Sequence, residues 1–216
     1  VLIRLRSLVR VQAGPPFHPV LPLTPRLGRK KMARVPYINR EDLKESHQRI
    51  YDNIAKTRGK VSNVFSALLN NPDATKAVTT VGEYIRYNSP LDPIIRETAI
   101  LTTAHEMNNS YEWAQHEPVA RQVGVRDEVI ESILSGKGPM GLPAKEGIFI
   151  QSAKELVKTG TVTDRTYQAL DHLLGTQLTI DFVVTVGYYS MLSRLIHSLG
   201  VDFDDGLQLN SKFESD

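Results

Sequence analysis

Apolar residues recur at helical spacing almost throughout this chain, and no stretch alternates as a half-buried strand requires. That periodicity restricts the chain to an all-α fold. Within it, the stretch from Glu97 to His116 reads as two helices joined at Asn108-Asn109-Ser110. On the first, Ile94, Ile100, Leu101 and Ala104 fall within about 60° of Glu97 at the α-helical turn angle. On the second, Glu112, His116, Val119 and Val123 share one stripe, with Glu112 and His116 at i, i+4. Three ionisable side chains therefore occupy positions where apolar residues belong. A carboxylate or imidazole placed there is costly unless it is paired or working.

The flanking segments supply the rest of the helices. Asn39 is an N-cap for the stripe Leu43, His47, Ile50, Tyr51 and Ile54, which Gly59 ends. Val61 to Leu69 is a short apolar helix. Asp73 to Tyr87 is a helix with Ala77, Val78, Val81, Tyr84 and Ile85 inward. Asp92 and Pro93 supply an N-cap and N1 pair for the first central helix. After Gly124, helices follow over Arg126–Leu134, Ala144–Lys158 and Thr163–Leu174. The longest, Thr176–Leu199, is apolar on most sides, which suits a central position or an oligomer interface.

With 216 residues, 41% of them hydrophobic, the chain is long enough for one ordinary domain. We expect that domain over residues 32–204, with a polar, frayed tail at 205–216. Residues 1–31 hold seven basic residues and no acidic one, leaving 19 basic against 24 acidic residues from Met32 onward. The folded part is thus acidic, and nucleic-acid binding is not expected. Three readings of residues 1–31 stand, in order of preference. They are upstream or added sequence before a start at Met32, an Arg-rich mitochondrial transit peptide, or a functional basic arm. No apolar run reaches the length of a membrane span. The expected compartment is cytoplasmic, or mitochondrial if residues 1–31 are a transit peptide.

The chain contains no cysteine. Disulfides, thiolate metal sites and thiol catalysis are unavailable to it. His105-Glu106 begins like a zinc-protease motif, but Asn109 stands where the second histidine belongs and no third ligand is evident. No metal and no cofactor are therefore expected. Gly136 to Pro143 is a rim loop rather than a phosphate loop, since no strand leads into it. No Gly-x-Ser-x-Gly signature is present. Each member of the polar cluster also has a structural reading. Glu97 can pair with Arg86 or Arg121, and Glu112 stands three residues after Asn109, at capping-box spacing. A lone histidine on an apolar face is ordinarily a satisfied core residue. Tyr111, Trp113, Tyr188 and Tyr189 are candidates to line a pocket or to be plain core.

Arg96-Glu97-Thr98-Ala99-Ile100-Leu101 and Tyr111-Glu112-Trp113 with His116 resemble the carboxymuconolactone decarboxylase family, within the superfamily of alkylhydroperoxidase D-like proteins. Ala120 with Gly124-Val125, Asp127-Glu128-Val129-Ile130-Glu131, and Val186-Gly187-Tyr188-Tyr189 through Leu199-Gly200-Val201 extend the likeness to about residues 36–202. Its core covers about residues 80–140. The peroxidase branch carries two cysteines at the positions of Asn109 and Glu112, so thiol peroxidase activity is disfavoured here. The decarboxylase branch has Glu-x-x-x-His, which Glu112 and His116 keep, while Trp113-Ala114 departs from its usual Leu-Pro.

The resemblance implies a compact all-α domain around a central helical hairpin. It further implies a cofactor-free lyase acting by acid–base chemistry on a small carboxylated lactone or related acid, assembled as a homotrimer or homohexamer. In that reading His116 donates the proton or faces the oxyanion, Glu112 orients it, and Glu97 is a second acid/base with a pKa raised by burial. Arg96, His105, Tyr111 and Trp113 are expected to contact substrate, with Arg86 or Arg96 holding its carboxylate. A non-catalytic, small-ligand-binding member of the same fold is the alternative.

Overall fold

A computed structural model describes residues 33–209 and 213; the readings of residues 1–31 lie outside the described residues. The described chain is all helical. A 3-10 turn at Arg40–Asp42 leads into α1 (Glu45–Arg58), α2 (Asn63–Leu68) and α3 (Pro72–Glu83). A π turn (Tyr84–Asn88) then precedes α4 (Pro93–Glu106), α5 (Ser110–Val123), α6 (Asp127–Leu134), α7 (Ala144–Thr159) and α8 (Asp164–Leu199). No helix of the described residues is long and apolar enough to cross a membrane.

The helix ends follow local chemistry. Asp92 accepts from the Ile94 amide at 2.8 Å ahead of Pro93, and Thr163 accepts from the Thr166 amide at 3.3 Å. Gly59 closes α1 with φ of 77°. The expected break between Leu174 and Thr176 is real. Gly175 interrupts α8 with φ 74° and ψ 162°, a conformation essentially reserved for glycine. Asn39, expected to cap α1, instead starts the 3-10 turn. Its amide donates to Asp42 at 2.8 Å, and α1 begins only at Glu45.

Two expectations about burial are corrected. The inward face of α3 is Thr75, Thr79 and Gly82, whereas Ala77, Val81 and Tyr84 are exposed. Threonine can line a core because its hydroxyl bonds its own helix: Thr75 donates to the Asn71 carbonyl at 2.8 Å and Thr79 to Thr75 at 2.9 Å. The buried centre of the fold is α4, not α8. Every residue from Glu97 to Ala104 is buried, and Thr98, Thr102 and Thr103 each return their hydroxyls to the carbonyl four residues earlier. Helix α8 packs Phe182, Val186, Tyr189, Leu192 and Ile196 inward. It leaves Ile180, Val183, Val184 and Met191 at the surface.

Part of the stretch read as a polar tail is held. Leu207 packs against the cluster around Ile54 and Phe65, and buried Phe213 packs against Trp113 with ring centroids 5.3 Å apart. These two apolar residues anchor a segment whose polar neighbours obscured them in the sequence.

Candidate active site

The central hairpin folds as its sequence demands. Asn108 takes the left-handed conformation, φ 51°, and lets α4 turn back into α5. The Asn109 side chain accepts from the Glu112 amide at 3.1 Å and donates to Ser193 Oγ at 2.9 Å. The reciprocal half of a capping box does not form, because the Asn109 amide is already spent on the Ala104 carbonyl at 2.8 Å. The Glu112 carboxylate is thereby released from capping and faces His116.

All three residues of the polar cluster meet. His116 Nδ1 lies 2.7 Å from Glu97 Oε2, and His116 Nε2 lies 3.6 Å from Glu112 Oε2. Exposure is 2% for Glu97, 4% for Glu112 and 3% for His116, so the cluster is nearly dry. The two carboxyls are pushed in opposite directions. Burial raises the Glu112 pKa, and the neighbouring Glu97 charge raises it further, against the pull of His116, Arg86 and Arg58. Burial would also raise Glu97, but His116, Arg96 and Arg86 outweigh it and hold its pKa below the ordinary 4.5. The expectation of a Glu97 pKa raised by burial is therefore reversed: a direct hydrogen bond to imidazole and two nearby guanidiniums win over desolvation. An ionised carboxylate can only accept, so Nδ1 carries the proton donated to Glu97 and Nε2 is left to face Glu112.

Glu112 and His116 border a cavity of about 130 Å³, whose other walls include Arg58, Arg86, Tyr188 and Tyr189. Glu97 sits behind the imidazole, away from that space. Tyr189 meets His116 edge-on, with centroids 5.0 Å apart. Arg86 reaches the site because the chain makes a π turn at Tyr84–Asn88, closed by the Ser89 amide on the Tyr84 carbonyl at 2.7 Å. Such turns redirect a side chain by adding one residue to the helical circuit. Asp181 pins this turn to α8, accepting from Tyr84 at 2.8 Å and from Ser89 at 2.6 Å.

The other expected contacts separate. Tyr111 borders the cavity, with its hydroxyl donated to Asp204 at 2.8 Å, and burial raises its pKa. Arg96 lies behind Glu97, Nε to Oε1 3.4 Å, and does not border the cavity. Trp113 is fully buried and donates Nε1 to Glu117 at 3.0 Å. His105 stands 3.6 Å from Glu106 and packs edge-on to Trp113 and Phe213. Both lie outside the cavity lining, because the hairpin turns that face of α4 and α5 toward α6 and the C-terminal segment. Arg121, a possible partner for Glu97, pairs with Glu117 at 3.0 Å and with Asp127. Arg58 is a charged cavity residue that escaped the sequence reading. In the last turn before Gly59, it looks like an ordinary cation complementing a helix C-terminus.

The helical fold is that of alkylhydroperoxidase D-like proteins. A debrominase, Bmp8, solved as a cysteine-to-alanine variant in complex with 2,3,4-tribromopyrrole, superposes with a TM-score of 0.64 at 10% identity, covering 82% of this chain and 93% of that one. A peroxidase-related protein from Silicibacter sp. TM1040 gives 0.67 at 16% identity, covering 88% and 100%. An alkylhydroperoxidase-core, peroxidase-related protein from Ralstonia eutropha JMP134 gives 0.57 at 18%, covering 84% and 94%. No curated protein matches the sequence. Residues 72–149, from α3 into α7, match the carboxymuconolactone decarboxylase family and contain all three members of the polar cluster. The chain thus shares the fold of alkylhydroperoxidase D-like proteins, carries a segment similar to the carboxymuconolactone decarboxylase family, and has no cysteine.

Proposed function

We propose that this chain is a cofactor-free carboxy-lyase acting by acid–base chemistry on a small carboxylated lactone or related acid. The observation that carries this reading is the Glu97–His116–Glu112 relay, with two carboxyls pushed to opposite protonation tendencies around one imidazole. In the step proposed, the bond between the substrate carboxylate and its carbon breaks, releasing CO2. The electron pair moves into the conjugated lactone carbonyl, whose oxygen becomes an oxyanion. That charge develops beside the Arg86 guanidinium, which lines the same cavity as the Glu112 carboxyl. The carbon then takes a proton from the Glu112 carboxyl, directly or through His116, and Glu112 regains it from water. Glu97 stays ionised and keeps the imidazole in one tautomer and orientation.

Turnover of carboxymuconolactone and related lactones, followed by CO2 release, tests this reading against His116→Ala. A rate that survives the substitution removes the mechanism. Ligand binding without turnover in the wild type favours the non-catalytic alternative.

The same reading includes a homotrimer or homohexamer. Ile180, Val184, Gly187 and Met191 form an exposed stripe at i, i+4, i+7 and i+11 along α8, and exposed Val81 and Tyr84 add apolar surface from α3 and the π turn. A cytoplasmic enzyme accords with the absence of cysteine; tagged protein in a cell fractionation checks it.

A further inference from the structure

Two guanidinium groups border the cavity outside any direct ion pair, near enough to Glu112 to act on its charge. Among the described residues, neither Arg58 nor Arg86 forms an ion pair, although every other arginine in the half of the cluster around α4 and α5 does: Arg96 with Glu97 and Arg121 with Glu117 and Asp127. The Arg58 guanidinium carbon lies 4.5 Å from the centroid of the Phe65 ring, which holds the head at the cavity wall. The Arg58 Nε and Nη2 atoms and the Tyr188 hydroxyl are buried close together, and no other polar group satisfies them. Unsatisfied buried donors of this kind are rare and costly. Two donors, from α1 and α8, crowd the same spot: a methyl group on Gly82 would stand 2.3 Å from Tyr188 Oη and 2.8 Å from Arg58 Nη2. Gly82 therefore leaves the room on α3 that both groups occupy. Glu112, the one carboxyl bordering this space, is biased toward its neutral form.

We propose that Arg58 and Tyr188 form an anion subsite that takes the carboxylate of the substrate, with Gly82 as its steric cradle and Arg86 left to the developing oxyanion. The proposal rests on the lyase reading for its substrate class, and adds Arg58 and Tyr188 as binding residues. The subsite separates the two ends of the substrate. The carboxylate sits on the α1 and α3 side, against a planar guanidinium fork and a phenol. The carbonyl faces Arg86 and Glu112. A guanidinium matches a planar carboxylate with two parallel N–H donors, which a lysine ammonium cannot do.

Calorimetric titration with γ-carboxy-γ-butyrolactone, which lacks the conjugation needed for decarboxylation, and with its methyl ester tests the assignment. The wild type is expected to bind the acid at least about tenfold more tightly than the ester, as loss of a charge-assisted pair implies. Arg58→Gln should abolish that preference, Arg58→Lys should restore part of it, and Gly82→Ala should reproduce the loss with all charges in place. His116→Gln should retain the acid preference. Equal binding of acid and ester by the wild type, no binding of the acid, or an unchanged preference in Arg58→Gln overturns the subsite. Turnover of a lactone with unaltered KM in Arg58→Gln overturns the subsite and leaves the lyase standing. An Arg58-dependent preference for the acid without turnover of any lactone supports the subsite and removes the lyase.

Discussion

His116 Nδ1 and Glu97 Oε2 are 2.7 Å apart, joined across two helices that the sequence separates by a turn at Asn108 and Asn109. The bond explains why a carboxylate is tolerated in the middle of the most buried helix of the fold. It also divides the labour of the two glutamates: Glu97 holds the ring from behind, and Glu112 meets its other nitrogen at the cavity.

Glu97→Gln is expected to weaken both the fold and the reaction. The depressed pKa means that Glu97 contributes stability above its ordinary 4.5, lost as pH falls through its lower folded value. Removing one partner of a buried pair costs about 3 kcal/mol at neutral pH. Lactone turnover should fall by about 10²-fold or more, since the imidazole loses its fixed tautomer. Urea unfolding at pH 7 and pH 3, with steady-state kinetics, checks both; stability unchanged at pH 7 would refute the pairing.

Glu112→Gln should behave in the opposite way toward stability. Its carboxyl has a raised pKa, so the native state binds the proton more tightly than the unfolded chain. Stability contributed by Glu112 is full below 4.5 and declines as pH rises through the higher folded value. The neutral amide should stabilise the protein at pH 7 by about 0.5–2 kcal/mol while turnover is lost. The gain should shrink as the pH is lowered toward 4.5. Melting curves across that range measure it, and a lower Tm at pH 7 would show Glu112 to be a structural anion.

Glu106 offers a control remote from the cavity. Burial would raise its pKa, but His105, Lys158 and Lys154 bring it down to about 2. Its Oε1 lies 3.2 Å from Lys154 and its Oε2 3.1 Å from Lys158. Glu106→Gln should cost on the order of 2 kcal/mol at neutral pH, discounted for the exposed lysine, and the loss should fade between pH 4.5 and pH 2. Catalytic constants should change little if its role is only to tie α4 to α7.

Assembly is expected to depend on the outer face of α8. Ile180→Glu combined with Val184→Glu should leave the helix content intact and shift the sedimentation coefficient to that of a monomer. Ile180 is 58% exposed, so the substitution adds no buried charge to the isolated chain. An unchanged oligomer would place the interface elsewhere.

Helix ends and the glycine break in α8 were legible because caps, prolines and glycines act through local backbone chemistry. The face that α3 buries was not. Thr75, Thr79 and Gly82 look polar or neutral in sequence, and only the partners packed against them make them interior. His105 and Trp113 misled for a related reason. Both sit near the motif on the helices that carry it, but the rotation of the hairpin directs them to the far side of the core.

The sequence by itself determined an all-helical chain, a hairpin carrying Glu97, Glu112 and His116 on inward faces, and the exclusion of thiol chemistry. Periodicity, capping and composition are local or additive, so one strand of text contains them. The tertiary structure alone decided which nitrogen meets which glutamate, that the Asn109 amide is spent on Ala104, and that Arg58 turns inward beside Tyr188. Those depend on distances between residues far apart in the chain, and on charges whose pKa values are set by everything packed around them.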